Sequence, residues 1–452
     1  MLDWLQRVYD FLWGIPMITL LAGTGLYLTV SARFPQLRLF PKAFGLLGRK
    51  ESQGGITSFQ ALCTALAATV GTGNIVGVTG AICLGGPGAV FWMWLCGLLG
   101  MGTKFAEVTL ACRYRVLQNG EPVGGPMYMI TRGLPRKLHF LAPIYCAFGV
   151  IAAFGVGNAT QINAVVGAVN GLLSAFGGQE SFWGNLTVGL VLASAVGLVL
   201  FGGAKRIGAA AERMVPAASV GYVMLCVLVI FRCRERLPEA VRAIFVGAFR
   251  PRAVTGGCLG AAFGSLRTGC ARGIFTNEAG MGTASMAYAG AETGSPVELG
   301  MLGLVEVFVD TLVICTLTAL AVLTSGVAIP YGRDCGAELS TMVFSRVCGD
   351  WAAVCLAAFL AVFAFATVLG WGLYGARCGQ FLFGPGFWKR FVWMQMAGVL
   401  LGAVTRAGTL WLLAEIINGC MAFPNLAALL ALSPELRRLV TEYKKESKKE
   451  RV

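Results

Sequence analysis

Two glycine-rich segments interrupt long apolar stretches of the sequence. The first reads GTGNIVG at 71–77, and the second reads GIFTNEAGMGTA at 273–284. Glycine in a helix interior costs about 1 kcal/mol relative to alanine, so both segments predict breaks in helices. Polar side chains cluster at these breaks, where hydrocarbon would leave them without partners. The polar residues are Thr72, Asn74, Thr276, Asn277 and Glu278.

A broken helix exposes backbone groups that an intact helix would pair. Amide N–H groups are free at the start of one half-helix, and carbonyl groups are free at the end of the other. The N–H end favours a carboxylate and the carbonyl end favours a cation. An amino acid zwitterion with Na⁺ supplies both charges. We therefore predict substrate contacts at the two breaks, involving Gly71, Thr72, Gly73, Asn74, Thr276 and Asn277.

A simpler explanation is that these glycines only allow helices to pack closely. With 62 glycines in the chain, close packing accounts for most of them. It does not account for the polar side chains that cluster at the two breaks, so we favour the binding interpretation.

The composition predicts a membrane protein. The 452 residues are 56% hydrophobic and 13% charged, with a mean hydropathy of +0.72; soluble domains average about 25% charged residues. Apolar stretches of the length that a spanning helix needs recur along the chain. We predict about eleven transmembrane helices, at 11–31, 57–84, 88–112, 141–170, 183–202, 211–231, 254–290, 300–325, 351–376, 391–403 and 407–432.

The distribution of basic residues predicts the orientation. If the loop 32–56 is cytoplasmic, inner segments carry 23 of the 36 basic residues and outer segments carry 10. The positive-inside rule then places the N-terminus outside and the C-terminus inside. The loop 232–252 has six arginines on the outer side, and we expect it to form an amphipathic surface helix. The net charge of +14 is spread over loops, which gives no support to nucleic-acid binding.

An internal repeat follows from the order of these segments. Without the first helix, five predicted helices precede the loop 232–252 and five follow it. When the two glycine-rich segments are aligned so that Asn74 matches Asn277, Gly77 matches Gly280. An odd number of helices per half makes the second half inverted, and broken helices at matching positions point to a transporter binding site near the bilayer midplane. The predicted units are 1–56, 57–231, 232–253, 254–432 and a basic tail at 433–452.

Other function classes find less support. His139 is the only histidine and no C-x-x-C motif occurs, so neither a zinc site nor a nucleophile–base pair is visible, and we expect no enzyme. Cys335 and Cys348 share one predicted outer loop and could form a disulfide. A channel is an alternative because glycine-rich breaks also build filters, although an internal inverted repeat is more typical of a transporter.

The sequence resembles the alanine or glycine:cation symporters, also called the sodium:alanine symporter family. The resemblance runs from about 55 to 430 and rests on four stretches: FQALCTALAATVGTGNIVGVTGAICLGGPGAVFWMWLCGLLGMGTKFAEVTLACRYR (59–115), GEPVGGPMYMI (120–130), RGIFTNEAGMGTA (272–284) and FAFATVLGWGLYGARC (363–378). It implies an all-α, five-plus-five inverted-repeat fold as in neurotransmitter:sodium symporters, with one extra N-terminal helix. It also implies import of small neutral amino acids with Na⁺, or with H⁺ in some members, across a bacterial or archaeal plasma membrane. No organic cofactor, nucleic acid or obligate protein partner is implied.

Further site residues are expected on two other helices. The glutamine that matches Gln161 faces the substrate in the family. Thr367 and Trp371 are four residues apart and share a helix face. Trp371 and Phe275 would keep the pocket small, although a tryptophan at this position could also be core packing. For Na⁺ we expect the hydroxyl of Thr367 and carbonyls of the unwound stretch 67–71, including Ala67 and Val70.

The identity of the coupling ion stays open at this stage. Many members of the family carry a serine where this chain has Ala366, so one hydroxyl is missing. Glu278 could carry a proton or bond free backbone amides. Intramembrane carboxylates are costly and usually functional, but the sequence assigns no role to Glu107, Glu306 or Asp310. Arg267 and Arg272 could pair with some of these carboxylates.

Overall fold

A computed structural model describes residues 2–48, 55–175, 178–250, 262–291, 295–405 and 408–449, and these are mainly helical. In chain order the helices are α1 (Leu2–Leu12), α2 (Ile15–Ser31), α3 (Pro35–Arg38), α4 (Phe40–Leu46), α5 (Ser58–Thr69), α6 (Val78–Gly85), α7 (Ala89–Arg113), α8 (Pro126–Gly133), α9 (Leu141–Phe154), α10 (Thr160–Ala175), α11 (Phe182–Leu200), α12 (Gly203–Arg232), α13 (Leu237–Phe249), α14 (Ala262–Asn277), α15 (Ser285–Ala289), α16 (Pro296–Val307), α17 (Thr316–Thr324), α18 (Gly336–Cys348), α19 (Asp350–Phe383), α20 (Phe387–Val404), α21 (Gly408–Ala431) and α22 (Ser433–Lys449).

Short elements of other types join these helices. Three π-helical segments lie before α6, between α9 and α10, and between α16 and α17, at Gly73–Gly77, Gly155–Ala159 and Phe308–Cys315. Two 3₁₀ turns occur at Arg136–Leu138 and Arg234–Arg236. After α7, strands β1 (Val116–Gln118) and β2 (Glu121–Val123) form an antiparallel hairpin with Val116 opposite Val123. Asn119 and Gly120 supply the positive φ angles that its two-residue turn requires.

Eight helical spans of the described residues are long and apolar enough to cross a membrane. The bent pair formed by α5 and the helix after Gly73 makes a ninth if it is counted as one span. Of the other predicted spans, 391–403 lies within α20, and 262–277 of the span at 254–290 forms α14, whereas 254–261 fall outside the described residues. The chain is therefore polytopic, and the total of eleven spans stays a prediction.

The arginine-rich loop 232–252 contains a helix, as the sequence predicts. Helix α13 buries Ala240, Ile244, Gly247 and Ala248, whereas Arg242 remains exposed. Its buried side contacts the start of α7 so closely that a Cβ at Gly88 would lie 2.1 Å from the backbone of Gly247. The helix thus packs against α7 at Gly247, while its single arginine, Arg242, is exposed.

Helices α7 and α16 pack closely and share a buried ion pair. A Cβ at Gly300 of α16 would lie 2.1 Å from Thr109 Oγ1 of α7, so only glycine permits this approach. Between one and two turns away, Lys104 Nζ lies 3.3 Å from Glu306 Oε1, and both side chains are fully buried. Lys104 is thus the partner of Glu306. The expectation that Arg267 and Arg272 pair with the intramembrane carboxylates Glu107, Glu306 or Asp310 is wrong, because both arginines have other partners.

The two arginines pair elsewhere. Arg267 Nη2 lies 2.6 Å from Asp10 Oδ1 of α1, and Arg272 Nη1 lies 3.3 Å from Glu415 Oε1 of α21. Both arginines are on α14, so these pairs tie α14 to the N-terminal helix and to α21. The sequence alone does not reveal these partners because they are far apart in the chain.

A disulfide between Cys335 and Cys348, which the sequence left open, does not form. The two residues lie at opposite ends of the 13-residue helix α18, which separates them by about 20 Å. Both are free thiols. Cys335 Sγ instead lies 3.1 Å from Cys83 Sγ, near the end of α6.

We predict that Lys104→Met destabilises the folded protein by about 3–5 kcal/mol, because it leaves Glu306 buried and unpaired. The double variant Lys104→Met/Glu306→Met should recover most of that loss. The stability of the single and the double variant is measured by thermal unfolding in detergent, monitored by size-exclusion chromatography. Lys42→Met replaces an exposed lysine of α4 and is the control. If the single and double variants unfolded together at the wild-type temperature, the ion pair would have no structural role.

Candidate functional site

The first predicted break lies between α5 and α6. Helix α5 ends at Thr69, Val70 is extended with φ −76° and ψ 102°, and a π-helical turn begins at Gly73. The two halves are bent by 52°. The Gly71 amide donates to Asn74 Oδ1 at 2.9 Å, so a side chain pairs one of the freed N–H groups.

The unwound stretch is shorter than the sequence suggested. It covers Val70 and Gly71, because Thr72 already has helical angles (φ −59°, ψ −26°), whereas Ala67 lies in the last turn of α5. The expectation that Ala67 is unwound is therefore wrong, but the last four carbonyls of a helix lack intrahelical partners in any case. Thr367 Oγ1 of α19 lies 3.1 Å from the Ala67 carbonyl oxygen and 3.0 Å from the Phe363 carbonyl oxygen, and its one proton can be donated to either.

The second predicted break lies between α14 and α15. Helix α14 ends at Asn277, and left-handed backbone follows at Glu278 (φ 51°), Gly280 (φ 99°) and Gly282 (φ 79°). Glycine adopts positive φ without steric cost. These two glycines therefore shape the turn, and Glu278 is the non-glycine residue of this break that is held in an unfavourable conformation.

Four predicted site residues meet at the first break. Thr72 Oγ1 donates to Gln161 Oε1 at 3.2 Å. A Cβ at Gly71 would lie 3.0 Å from Thr367 Oγ1 and 3.7 Å from Gln161 Oε1. All four residues are buried. Residues from α10, α19 and the first break thus come together around Gly71, where a side chain would be in tight contact with Thr367 Oγ1.

The second break faces the first through Phe275 and Thr276. A Cβ at Gly73 would lie 3.2 Å from Thr276 Cγ2 and 3.8 Å from Phe275 Cδ1. Phe275 is partly buried, and Thr276 Oγ1 donates to the Gly273 carbonyl at 2.9 Å. The two breaks therefore lie in van der Waals reach of each other, with an aromatic ring between the site and its surroundings.

The side-chain amides of Asn74 and Asn277 donate to the π-helical segment 308–315, although Asn74 Oδ1 also accepts from the Gly71 amide. Asn74 Nδ2 donates to Asp310 Oδ1 at 2.6 Å, and Asn277 Nδ2 donates to Thr311 Oγ1 at 3.2 Å. Asn277 Oδ1 accepts from the Ala279 amide at 3.0 Å. Both asparagines thus hold the breaks in place. Direct contact between their side chains and a substrate stays a prediction, and this geometry does not favour it.

Trp371 is a fully buried residue next to the second break. Its Nε1 donates to Glu278 Oε1 at 3.0 Å, and a Cβ at Gly157 would lie 2.3 Å from the Trp371 Cβ. Gly157 belongs to the π-helical segment between α9 and α10. The sequence placed Trp371 on the face of Thr367 but gave no sign that a glycine would make room for it.

Three buried carboxylates lie around the breaks and accept hydrogen bonds from neutral donors. Glu107 Oε1 accepts from the amides of Gly280 (2.8 Å) and Gly282 (3.0 Å). Glu278 Oε2 accepts from Thr283 Oγ1 at 2.6 Å, and Asp310 Oδ2 accepts from Thr311 Oγ1 at 2.8 Å. Within the described ranges, none of the three has an ion-pair partner, in contrast to Glu306. Glu107 therefore stabilises the second break, a role that the sequence left unassigned.

Asn425 of α21 completes this arrangement. Its Nδ2 donates to Glu107 Oε1 at 2.6 Å and to the Gly280 carbonyl at 2.9 Å. No motif in the sequence singles out Asn425, which follows Pro424 in the apolar second half of α21. An amide side chain within an apolar helix needs a hydrogen-bond partner in hydrocarbon, and this requirement could have identified Asn425 as a structurally important residue.

A solved structure shares the fold. The structure of MhsT in complex with L-phenylalanine aligns with a TM-score of 0.60 at 13% identity, covering 87% of this chain and 99% of that one. At this identity the likeness concerns the fold alone. It supports the expected class of fold, while the extra N-terminal helix stays a prediction.

Sequence comparisons cover nearly the whole chain. The sodium/alanine symporter AgcS of Methanococcus maripaludis is 40% identical over 442 residues, which is 95% of this chain and 94% of that protein. An uncharacterized transporter of Haemophilus influenzae is 41% identical over 453 residues, 98% of this chain and 95% of its own length. The model of the sodium:alanine symporter family matches residues 1–452. Two broken helices meet at a buried polar site in this chain. By the match of the family model and the similarity to AgcS, this chain belongs to the sodium:alanine symporter family.

Proposed function

We propose that this protein is a secondary symporter that imports small neutral amino acids, alanine and glycine, together with Na⁺. Family membership and the similarity to a sodium/alanine symporter support the reaction class. The observation that carries the proposal is the polar cluster at the first break: Thr72 Oγ1 lies 3.2 Å from Gln161 Oε1, and a Cβ at Gly71 would lie 3.0 Å from Thr367 Oγ1 and 3.7 Å from Gln161 Oε1.

The substrate carboxylate binds the amides at the first break. The N–H groups of Thr72 and Gly73 are at the start of the outer half-helix, where donors lack intrahelical acceptors and the helix dipole favours an anion. Gln161 Oε1 and the Thr72 hydroxyl are the polar groups next to Gly71 that can meet the ammonium group. Phe275 and Trp371 then limit the space for the substrate side chain.

Residues at the carbonyl end of α5 fit a sodium ion. Na⁺ prefers oxygen ligands, and unwound backbone carbonyls serve this purpose in transporters with broken helices. The Ala67 and Val70 carbonyls and Thr367 Oγ1 form such a set, because Thr367 Oγ1 already lies 3.1 Å from the Ala67 carbonyl. The ion would neutralise the negative end of α5, which no described basic side chain pairs.

Proton coupling is the alternative. Glu278 and Asp310 are buried without an ion-pair partner in the described residues, and each lies at or next to a break. An isolated carboxylate in hydrocarbon is costly when ionised, and such residues form proton relays in transporters. The missing hydroxyl at Ala366 also favours H⁺. A neutral carbonyl can replace one hydroxyl, so we favour Na⁺.

We also propose that the N-terminus is outside, that the C-terminus is cytoplasmic and that 57–231 and 254–432 are inverted repeats. The excess of basic residues in the inner segments and the register between Asn74 and Asn277 support these proposals. In this arrangement the protein alternates access around a fixed site between the two breaks. A channel would need no such closed site.

We expect Gly73→Leu to weaken alanine binding by at least about a hundredfold, because its side chain would meet Thr276 and Phe275. The protein should still insert and elute as a folded species. Binding is measured by scintillation proximity with labelled alanine. Gly167→Leu on α10, where a Cβ has open space, is the matched control. Retained alanine binding in Gly73→Leu would contradict the site assignment.

Trp371→Ala should admit larger neutral amino acids, since it removes the ring beside the second break. One methylene in an apolar pocket is worth about 1–3 kcal/mol, so serine and cysteine should already compete weakly with alanine in the wild type. Competition profiles against labelled alanine are the measurement, and Trp371→Phe separates ring volume from the bond to Glu278. Identical profiles in all three proteins would mean that Trp371 only packs the core.

Alanine uptake into proteoliposomes should rise with external Na⁺ at fixed pH. Thr367→Ala should weaken the apparent Na⁺ affinity by about tenfold, equivalent to one lost ligand of about 1.4 kcal/mol, while Thr187→Ala, on the exposed face of α11, should not. Uptake that ignores Na⁺, follows a pH gradient and stops in Glu278→Gln would instead establish proton coupling.

A further inference from the structure

Residues 327–348, termed the lid, cover the outer half of the first broken helix. The Gly332 amide donates to the Cys83 carbonyl at 3.0 Å. The hydroxyls of Thr79 and Ser340 lie 2.9 Å apart and are buried. These contacts join the lid to α6 through both backbone and side-chain hydrogen bonds.

The lid also approaches α6 more closely than side chains would allow. A Cβ at Gly336 would lie 2.2 Å from the Val76 carbonyl, and a Cβ at Gly80 would lie 2.8 Å from Asp334 Oδ1. Gly336 therefore brings the lid against the backbone of α6 at the start of α18, whereas the close neighbour of Gly80 is the end of the Asp334 side chain.

Two thiols face each other at the centre of this interface. Cys83 Sγ and Cys335 Sγ are 3.1 Å apart. Cys83 is 0% exposed and Cys335 is 8% exposed. Since a disulfide bond is about 2.05 Å long, an approach of about 1 Å would suffice. The neighbouring contacts at Gly332 and Gly336 bracket Cys335 and hold its backbone against α6.

The lid reaches the second broken helix as well. Asp334 Oδ2 lies 4.0 Å from Arg272 Nη2 of α14, and Arg272 pairs in turn with Glu415 of α21. The lid thus contacts the helices that precede or follow both breaks. Movement of these helices during alternating access would separate it from α6.

We propose that Cys83 and Cys335 are a disulfide-forming modification site that locks the lid against α6. The locking effect rests on the proposed transport cycle, whereas formation of the bond does not. The predicted outer location of the lid exposes it to an oxidising compartment, where disulfides persist.

The oxidant is a small-molecule disulfide. The thiolate of Cys335, the more exposed of the two, attacks one sulfur of that disulfide and releases one small thiolate, which takes up the proton lost by Cys335. The thiolate of Cys83 then attacks the mixed disulfide at the Cys335 sulfur. It releases a second small thiolate, which takes up the proton lost by Cys83. One protein disulfide forms, two protein thiols are oxidised, and one small disulfide is reduced to two thiols.

The test uses the full chain in proteoliposomes, treated with oxidised glutathione from the outside. After denaturation and alkylation of the remaining thiols, mass spectrometry should find a Cys83–Cys335 crosslinked peptide, two hydrogens lighter than the two peptides together. Uptake of labelled alanine should fall at least about tenfold and return with dithiothreitol. Cys83→Ser and Cys335→Ser should resist the treatment, whereas Cys348→Ser, at the other end of α18, should respond like the wild type.

The outcomes separate the modification site from the transport function. If Cys83 and Cys335 were both fully alkylated after oxidation, the modification site would be wrong. If the crosslinked protein imported alanine as fast as the protein with free thiols, the crosslink would not lock the lid. If the protein imported no amino acid before oxidation, the proposed function would be contradicted. A crosslinked peptide found after oxidation of the same protein would still support the modification site.

Discussion

A backbone amide or carbonyl inside a bilayer has no water to bond, so a break in a membrane helix needs partners from the protein. Here those partners are side chains from distant helices. Asn74 accepts from the Gly71 amide at the first break, and Glu107 accepts from the Gly280 and Gly282 amides at the second. The proposed binding site uses the amides and carbonyls at the breaks that these side chains do not pair.

The same constraint governs charge in the interior. Lys104 and Glu306 neutralise each other between α7 and α16, where glycines bring the helices close. Glu107, Glu278 and Asp310 are each stabilised by neutral donors instead, so a proton or cation near them changes the local balance strongly. A symporter needs such a balance, because the bound ion must alter the relative stability of its states.

Much of the fold and the site could be predicted from the sequence. Glycine spacing and polar clusters located both breaks, and the family resemblance pointed to Gln161. The partners of the buried charges could not be predicted. Arg272 is near Glu278 in sequence, yet it pairs with Glu415, while Lys104 pairs with Glu306 some 200 residues later. Pairing across helices depends on helix rotation and packing, which local patterns do not encode. The same applies to Cys335, whose neighbour is Cys83 and not the nearby Cys348.

The π-helical segment Gly155–Ala159 sets the direction in which Gln161 points. Such a segment holds one residue more than the α-helical turn it replaces. Since each residue of an α-helix turns the chain by 100°, removing one residue from this segment would rotate α10 by about that angle relative to α9. Gln161 would then face away from Thr72 although no side chain at the site had changed. The count of residues between Phe154 and Gln161 thus determines where Gln161 lies as much as their identity does, and a single-residue deletion there would remove Gln161 from the cluster around Gly71.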